Sequence, residues 1–446
     1  MPNVRSHAKL FALGLLAVMV LGAALLATPW TTEDGSRTAL DDAFFTAVSA
    51  AAVTGLVTVD TQSHWNFTGE LVILCLIQAG GLGFMVGASL VLQTLRRGQA
   101  RLSDAVLVQN SAPTFSLREA SSLARRIVRF TAVTEAIGAL LLTGRFARDM
   151  PLPEALWHGT FHSISAFCNA GFDLQGGYAS LIPYQTSVWV NVVMVLLIQA
   201  GALSYIALAD VTANRRWAPL ALDTKLVLVG NAVLLVGGAA VFLAAEWSRA
   251  LADMPATARP LAAVFQSVAA RTAGFATVNV ADLHTLTLFV WVGIMLVGGA
   301  SGSTAGGVKL TTVGVVVATV LSTLRGREEP HLFGRRLTTP LVFRAMTVIV
   351  LMMLAHFVVT GLLAVTEDLL ANSEVSFIAL MFEAMSALAT VGLSTGITPS
   401  LSTAGKLVLC GAMFFGRLGP LTAAYALQRR DQPVPFRLPV APVRIG

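Results

Sequence analysis

The sequence predicts an all-α transmembrane fold of four pseudo-symmetric repeats, each helix, pore loop and helix, around a central ion pore. Three observations predict it. The 446 residues are 55% hydrophobic and only 12% charged, with a mean hydropathy of +0.73, where a soluble domain carries roughly 25% charged residues. Apolar stretches that approach the length of a bilayer span recur along the whole chain. A short motif, Phe followed by small residues and then Gly with Leu or Phe after it, occurs four times.

Taken in order, the first apolar stretch is Leu10 to Thr28, with no small-x-small cleavage pattern before Pro29 and Trp30, so it reads as a span rather than a removed leader. The motif then appears over Phe45 to Leu56 (FTAVSAAAVTGL). From Phe to Gly it covers about 11 residues where a span needs about 20, so it must enter and leave the bilayer on one side. Leu71 to Leu95 follows as the inner helix. The same order returns with Phe130 to Thr143, Phe161 to Phe172 and Val188 to Leu208. It returns again with Leu226 to Ala245, Phe265 to Phe275 and Leu286 to Gly299, continued by Thr311 to Leu324. Val342 to Val365, Phe382 to Leu393 and Leu407 to Leu427 complete it. The aligned glycines Gly55, Gly171, Gly274 and Gly392 lie 116, 103 and 118 residues apart. Repeat one therefore covers 1–98, repeat two 99–218, repeat three 219–330 and repeat four 331–428, with a basic, Pro-rich tail over 429–446. The inner helices echo one another too: Gly80, Gly298 and Gly416 follow their loop glycines by 24 or 25 residues, and Gly201 follows by 30.

A net charge of +6 does not mark a nucleic-acid binder, because the basic residues fall in every second connecting segment instead of on one patch. Arg96, Arg97 and Arg101, then Arg215, Arg216 and Lys225, then Arg325, Arg327, Arg335 and Arg336, and finally Arg429, Arg430, Arg437 and Arg444 share one side. Glu33, Asp34, Asp41, Asp42, Asp149, Glu154, Glu246, Asp253, Asp282, Glu367, Asp368 and Glu374 share the other, with only Arg37, Arg145, Arg148, Arg249 and Arg259 as basic residues. By the positive-inside rule the basic side and both termini are cytoplasmic, and the motif segments open to the outer side. Cys75, Cys168 and Cys410 lack metal-ligand spacing and read as packing residues.

Irregular backbone at membrane depth is tolerated only where it is buried in protein or lines a watery cavity. Four such segments imply a pore. Their tips are Val53-Thr54-Gly55, Asn169-Ala170-Gly171, Thr272-Ala273-Gly274 and Thr390-Val391-Gly392. Glycine admits backbone angles closed to other residues, so carbonyl oxygens can be turned inward to replace the hydration shell of a potassium ion. The fourth tip, continued as Leu393-Ser394-Thr395-Gly396, resembles the TVGYG filter of potassium channels. Half-helices aimed at the tips present partly negative C-terminal ends to a cation, and Asp60 and Asp173 add charge at the mouth.

Repeat three departs from the others. Gly298-Gly299-Ala300-Ser301-Gly302-Ser303-Thr304-Ala305-Gly306-Gly307-Val308-Lys309 interrupts its inner helix with five glycines and is predicted to unwind below the tips as a gate. Arg417 lies in the last inner helix, where the first has Gly81, and is expected to stand as a charge beside the path, the alternative being a structural pair with a helix-end carbonyl or carboxylate. Glu135 and Glu383 read as buried hydrogen-bond acceptors. Gly302 and Gly307 have phosphate-loop spacing, but Val308 stands where that loop needs lysine. A serine-protease reading, with Ser301 as nucleophile and His356 as base, ignores the four repeats, and no enzymatic activity is expected.

The tips, the run Ala305-Gly306-Gly307-Val308-Lys309-Leu310-Thr311-Thr312 and the run Gly416-Arg417-Leu418-Gly419-Pro420-Leu421-Thr422 together resemble the Trk/Ktr/HKT superfamily of potassium transporters. The likeness covers Leu10 to Leu427 and is closest to KtrB-type, TrkH-like membrane subunits. It implies a multi-pass protein of a bacterial inner membrane that takes up potassium, with sodium as a second candidate ion. It also implies a homodimer with one pore per subunit, surrounded by membrane lipids and served by a cytosolic ring of nucleotide-binding regulatory subunits. On this likeness Gly55, Gly171, Gly274 and Gly392 form the filter, while Gly298, Gly299, Ser301, Gly302, Ser303, Gly306, Gly307, Lys309 and Arg417 control the path beneath. The competing reading is a membrane scaffold or receptor with a vestigial pore.

Overall fold

The computed structural model describes residues 2–104, 117–327, 329–371 and 375–419. The tail over 429–446 and the end of the apolar stretch reaching Leu427 lie outside them. Each repeat opens with an outer helix: α1 (Pro2–Leu26), α5 (Leu117–Phe146), α9 (Leu222–Glu246) and α13 (Thr339–Ala364). A short re-entrant helix follows in each: α2 (Leu40–Ala52), α6 (Leu152–Cys168), α10 (Arg259–Ala269) and α14 (Phe377–Leu388). At 13 residues, α2 is about 20 Å long at 1.5 Å per residue, too short for a hydrocarbon core of about 30 Å.

The inner helices are α4 (Phe67–Asp104), the pair α7 (Val188–Ala202) and α8 (Tyr205–Asn214), the pair α11 (Thr285–Met295) and α12 (Leu310–Leu324), and α15 (Thr403–Leu418). A one-turn helix α3 (Thr61–His64) precedes α4, and a two-residue hairpin, β1 (His331–Leu332) with β2 (Arg335–Arg336), joins α12 to α13.

Side-chain caps start the inner helices where the chain leaves its re-entrant limb. Asn66 accepts from Gly69 N–H at 3.1 Å, Ser187 from Val190 N–H, His284 from Leu286 N–H at 3.1 Å and Ser402 from Gly405 N–H at 3.1 Å. In repeats three and four a glutamate at the end of the outer limb reaches across to the same place. Glu246 accepts from His284 N–H at 3.0 Å, and Glu367 accepts from Ser402 N–H at 3.1 Å and its hydroxyl at 2.7 Å. Lys406 of α15 contacts Asp41 at 3.3 Å and Asp42 at 2.7 Å on α2, tying the last repeat to the first.

The molecule is polarised inside out, as a bilayer requires. The re-entrant helices form the core, and the residues that open the four motifs within them, Phe45, Phe161, Phe265 and Phe382, have no exposed surface. The outer helices turn Leu21, Leu140, Val236 and Phe357 outward. Among the described residues four helices are long and apolar enough to cross a membrane, and α7 with α8 makes a fifth, broken one.

That break corrects one expectation. Val188 to Leu208 reads as continuous in sequence, yet the chain turns by 96° at Leu203 and Ser204, where Ser204 takes a φ of 66°. Cys75 is a second correction. It is exposed on the outside of α4, whereas Cys168 and Cys410 are buried as expected.

Candidate functional site

Past the end of each re-entrant helix the first tip residue turns left-handed, directly after α2 and α6 and two to three residues on after α14 and α10: Val53, Asn169, Thr272 and Thr390 have φ of 57°, 58°, 66° and 49°. The second residue of each tip returns to negative φ, and the glycine turns positive again at 97°, 74°, 76° and 94°. Alternating backbone handedness directs successive carbonyls to one side, and the second positive φ is affordable only for glycine.

The glycines also require each other. A methyl on Gly55 would strike the carbonyl oxygen of Ala170, and one on Gly171 would stand 3.1 Å from that of Ala273. On Gly274 it would stand 2.6 Å from the oxygen of Val391, and on Gly392 it would strike that of Thr54. Every tip thus faces the carbonyl just before the next tip's glycine, and the fourth closes on the first. All twelve tip residues named from the sequence are at this ring, each at most 1% exposed apart from the glycines, which are also buried. The hydroxyls of Thr54, Thr272 and Thr390 are buried there without a hydrogen-bond partner.

Behind the ring lie residues that the sequence reading passed over. Ser49 and Ser386 accept the N–H of Gly55 and Gly392 on their hydroxyls at 3.1 Å, and Ser165 donates to Phe172 O at 2.7 Å. Their signal is a serine six residues before the glycine in three of the four motifs. The residue after each leading Phe braces the returning limb three positions past the glycine. His162 accepts Leu174 N–H at 3.4 Å, Gln266 donates to Thr277 at 3.5 Å, and Glu383 accepts Thr395 N–H at 2.8 Å. Glu383 also takes the hydroxyls of Ser394 (2.6 Å) and Thr398 (3.0 Å), so it is the acceptor expected. Thr46, in repeat one, has no such partner. Glu135 accepts from Gln78 at 3.1 Å.

Below the ring the chain is non-helical from 296 to 309. The loop closes at its neck through Gly298 N–H to Val308 O and Val308 N–H to Leu296 O, both 2.9 Å. Gly302 and Gly307 take positive φ of 77° and 61°. Gly299 packs on the Ala202 carbonyl, where a methyl would sit at 2.6 Å, and Ser303 bonds Ala300 O at 2.7 Å. The upper edge touches two tips. Thr304 bonds the Asn169 side chain at 3.2 Å, and Gly306 lies so close to Thr390 and the Ala389 carbonyl that no side chain fits between. Lys309 reaches back to Ala305 O at 2.5 Å and Gly306 O at 3.3 Å. Arg417, 1% exposed, donates to Thr304 O at 2.6 Å and to Gly80 O at 2.7 Å, so it pins the loop to α4. Lys309 and Arg417 both stand over the Phe84 ring, at 5.3 and 4.5 Å, and among the described residues no carboxylate pairs with either. Ser301 alone turns away, bonding Thr311 at 3.1 Å instead of meeting His356.

At the mouth, Asp60 and Asp173 come from neighbouring repeats. Burial pushes the Asp173 carboxyl up to about 6 against the pull of its bond from Gln175 N–H, and Asp60 adds to the rise.

Comparison with known proteins gives the family to which a chain of this architecture belongs. A family profile, TrkH, described as cation transport protein, matches residues 15–433. The chain belongs to the TrkH family. It is a membrane transport protein and not an enzyme. The potassium/sodium uptake protein NtpJ of Enterococcus hirae is 35% identical to it, over 95% of this chain and 93% of that one. The Ktr system potassium uptake protein B of Bacillus subtilis is 34% identical, over 95% and 93%. The crystal structure of the potassium transporter TrkH from Vibrio parahaemolyticus superposes with a TM-score of 0.74 at 18% identity, covering 95% of this chain and 85% of the other. That last likeness concerns the fold.

Proposed function

We propose that this TrkH-family chain takes up potassium across the cell membrane, as the ion-translocating subunit of a potassium uptake system. The observation that carries the reading is the ring itself. Four glycines interlock with four neighbouring carbonyls, and three threonine hydroxyls are buried beside them without partners. Buried oxygens without a protein partner are costly, and a desolvated cation is a partner they fit. The names of the relatives, potassium uptake and potassium/sodium uptake, supply the ion and leave sodium as the second candidate.

The four tips act as the filter, and the loop over 298–309 with Arg417 acts as the gate beneath. The distribution of arginine and lysine supports a cytoplasmic side for that gate and for both termini, in a bacterial inner membrane. The chain works as a homodimer among membrane lipids, with a cytosolic nucleotide-binding ring on the gate side, as Ktr systems suggest.

The test is uptake of potassium, rubidium and sodium by proteoliposomes carrying the purified chain, and by cells stripped of their own potassium uptake. Potassium and rubidium entering ahead of sodium is the expected result. A correctly folded chain that moves none of them refutes transport and returns the scaffold reading.

A further inference from the structure

The third tip lacks the serine that supports the other three. Its motif is one residue shorter from Phe to Gly, and Ala269 stands where the others place Ser49, Ser165 and Ser386. With no hydroxyl available, Gly274 N–H settles on Ala269 O at 3.3 Å. The brace from Gln266 to Thr277 is stretched to 3.5 Å, and the side-chain oxygen Oε1 of Gln266 is buried without a partner. Yet Gly274 must hold its place between Gly171 and Gly392 as firmly as any other glycine of the ring.

At this point of the chain, and at no other tip, there is a charge. The residues preceding the first tip residue are Ala52, Cys168 and Ala389 in repeats one, two and four, and Arg271 in repeat three. Arg271 is 4% exposed. Its Nη1 donates to the side-chain oxygen of Asn231 on α9, and its Nε lies 3.5 Å from Ser267 O in the last turn of α10. Among the described residues no carboxylate forms an ion pair with it. A buried cation is retained in a membrane protein for a reason. Next to the C-terminal end of α10 it is favoured by the helix dipole, and through Asn231 it fastens the tip to the outer helix.

We infer that Arg271, tied to Asn231, is a positioning residue that sets the third tip in the ring and with it the discrimination between cations. It takes over in repeat three what the serine hydroxyl does in repeats one and four, but from the outside, against α9. It also places a positive charge behind one quarter of the ring, which makes that quarter the weakest in attracting a cation.

The inference rests on the transport reading, and its test separates the two. Arg271→Met, Arg271→Lys and Asn231→Leu are reconstituted beside the parent, and potassium and sodium uptake are each measured over a range of concentration. Loss of one buried charge-assisted hydrogen bond corresponds to about tenfold in an equilibrium. Arg271→Met and Asn231→Leu are therefore expected to lose potassium-over-sodium preference by about that factor while the maximal rate changes less, and Arg271→Lys is expected to keep most of the preference. Folded Met and Leu variants with the parent's preference, or with altered rate alone, overturn the inference. If Arg271→Met does not fold, Asn231→Leu, which keeps the arginine, decides. A parent that moves neither ion refutes transport itself. The tie is then read from melting in detergent, where a variant carrying both Arg271→Met and Asn231→Leu falls no further than the single ones; additive losses overturn it.

Discussion

Gly392→Ala tests the ring most directly. Two separate costs are expected from the geometry. Gly392 has a φ of 94°, and an L-residue held left-handed costs roughly 1–2 kcal/mol. The new methyl would also strike the Thr54 carbonyl oxygen and lie 3.0 Å from its carbon and 3.1 Å from the Gly55 Cα. All three are backbone atoms of another tip, so no side chain can rotate away, and overpacking of this kind costs typically 1–3 kcal/mol. The sum, about 2–5 kcal/mol, falls on the contact between the fourth and first tips. Controls come from the same repeat. Gly396 has a φ of 88° with open space around it, so Gly396→Ala carries the strain alone. Gly411 lies in α15 with nothing within 4 Å, so its alanine variant should be neutral. The assay is potassium and sodium uptake in proteoliposomes, with melting temperature alongside. Preference for potassium should fall by about tenfold or more in Gly392→Ala, since 1.4 kcal/mol is one decade, and be kept in Gly411→Ala. Equal preference in all three variants refutes the ring as the selecting element.

Further outcomes follow from the supports around the ring. Ser386→Ala leaves the Gly392 N–H buried and unpaired, a loss of about 1–3 kcal/mol, and should lower both melting temperature and potassium preference; unchanged values would show that the hydroxyl bond is idle. Asp173 is neutral below about pH 6 and charged above it, so its pull on cations is present at neutral pH and lost as the outside is acidified through that value. Uptake should fall with it, and Asp173→Asn should flatten the profile at the lower rate; a variant that keeps the parent's pH dependence rules this carboxyl out. Arg417→Gln removes a charge that opposes a passing cation by roughly 4 kcal/mol at 4 Å and an effective dielectric of 20, so flux should rise, with Arg417→Lys changed less. Abolished flux together with a lowered melting temperature would instead make Arg417 a structural tie between Thr304 and Gly80.

The ring was legible in the sequence because its demand is local. A left-handed glycine after a short half-helix leaves a fixed residue pattern, and four copies of it announce themselves. The inner glycines were legible for a related reason: at Gly80, Gly201 and Gly416 a methyl would collide with the carbonyls of Ala51, Phe167 and Leu388, so close backbone approach admits no other residue. Gly298 matches them in spacing but meets Gly306 of its own loop, a difference that spacing does not carry. The supports were harder to see. Ser49 and Ser386 bind backbone N–H groups whose positions exist only after the tip has turned, and Arg271 finds Asn231 across two helices. Cys75 misled because an apolar helix position looks alike whether it faces protein or lipid.

The break in repeat two was the least legible feature, since Leu203-Ser204 contains no helix breaker, and its cause lies in repeat three. The last turn of a helix leaves carbonyls without partners, which at membrane depth must be satisfied by something other than water. At the end of α7 the carbonyl of Ala202 receives Ala300 N–H at 2.9 Å and that of Gly201 receives Thr304 N–H at 3.3 Å, both from the loop beneath the ring. Had α7 run on unbroken, those two carbonyls would be spent inside the helix, and the loop's own N–H groups would lie buried without acceptors. The two departures from fourfold symmetry are thus one arrangement: a broken inner helix in repeat two supplies the acceptors that let an unwound one in repeat three settle beneath the ring. A loop held by backbone bonds of this kind, and by Arg417 from the far side, cannot move without exposing the end of α7. On the proposed gating role of the loop, opening the path requires repeats two and three to rearrange together.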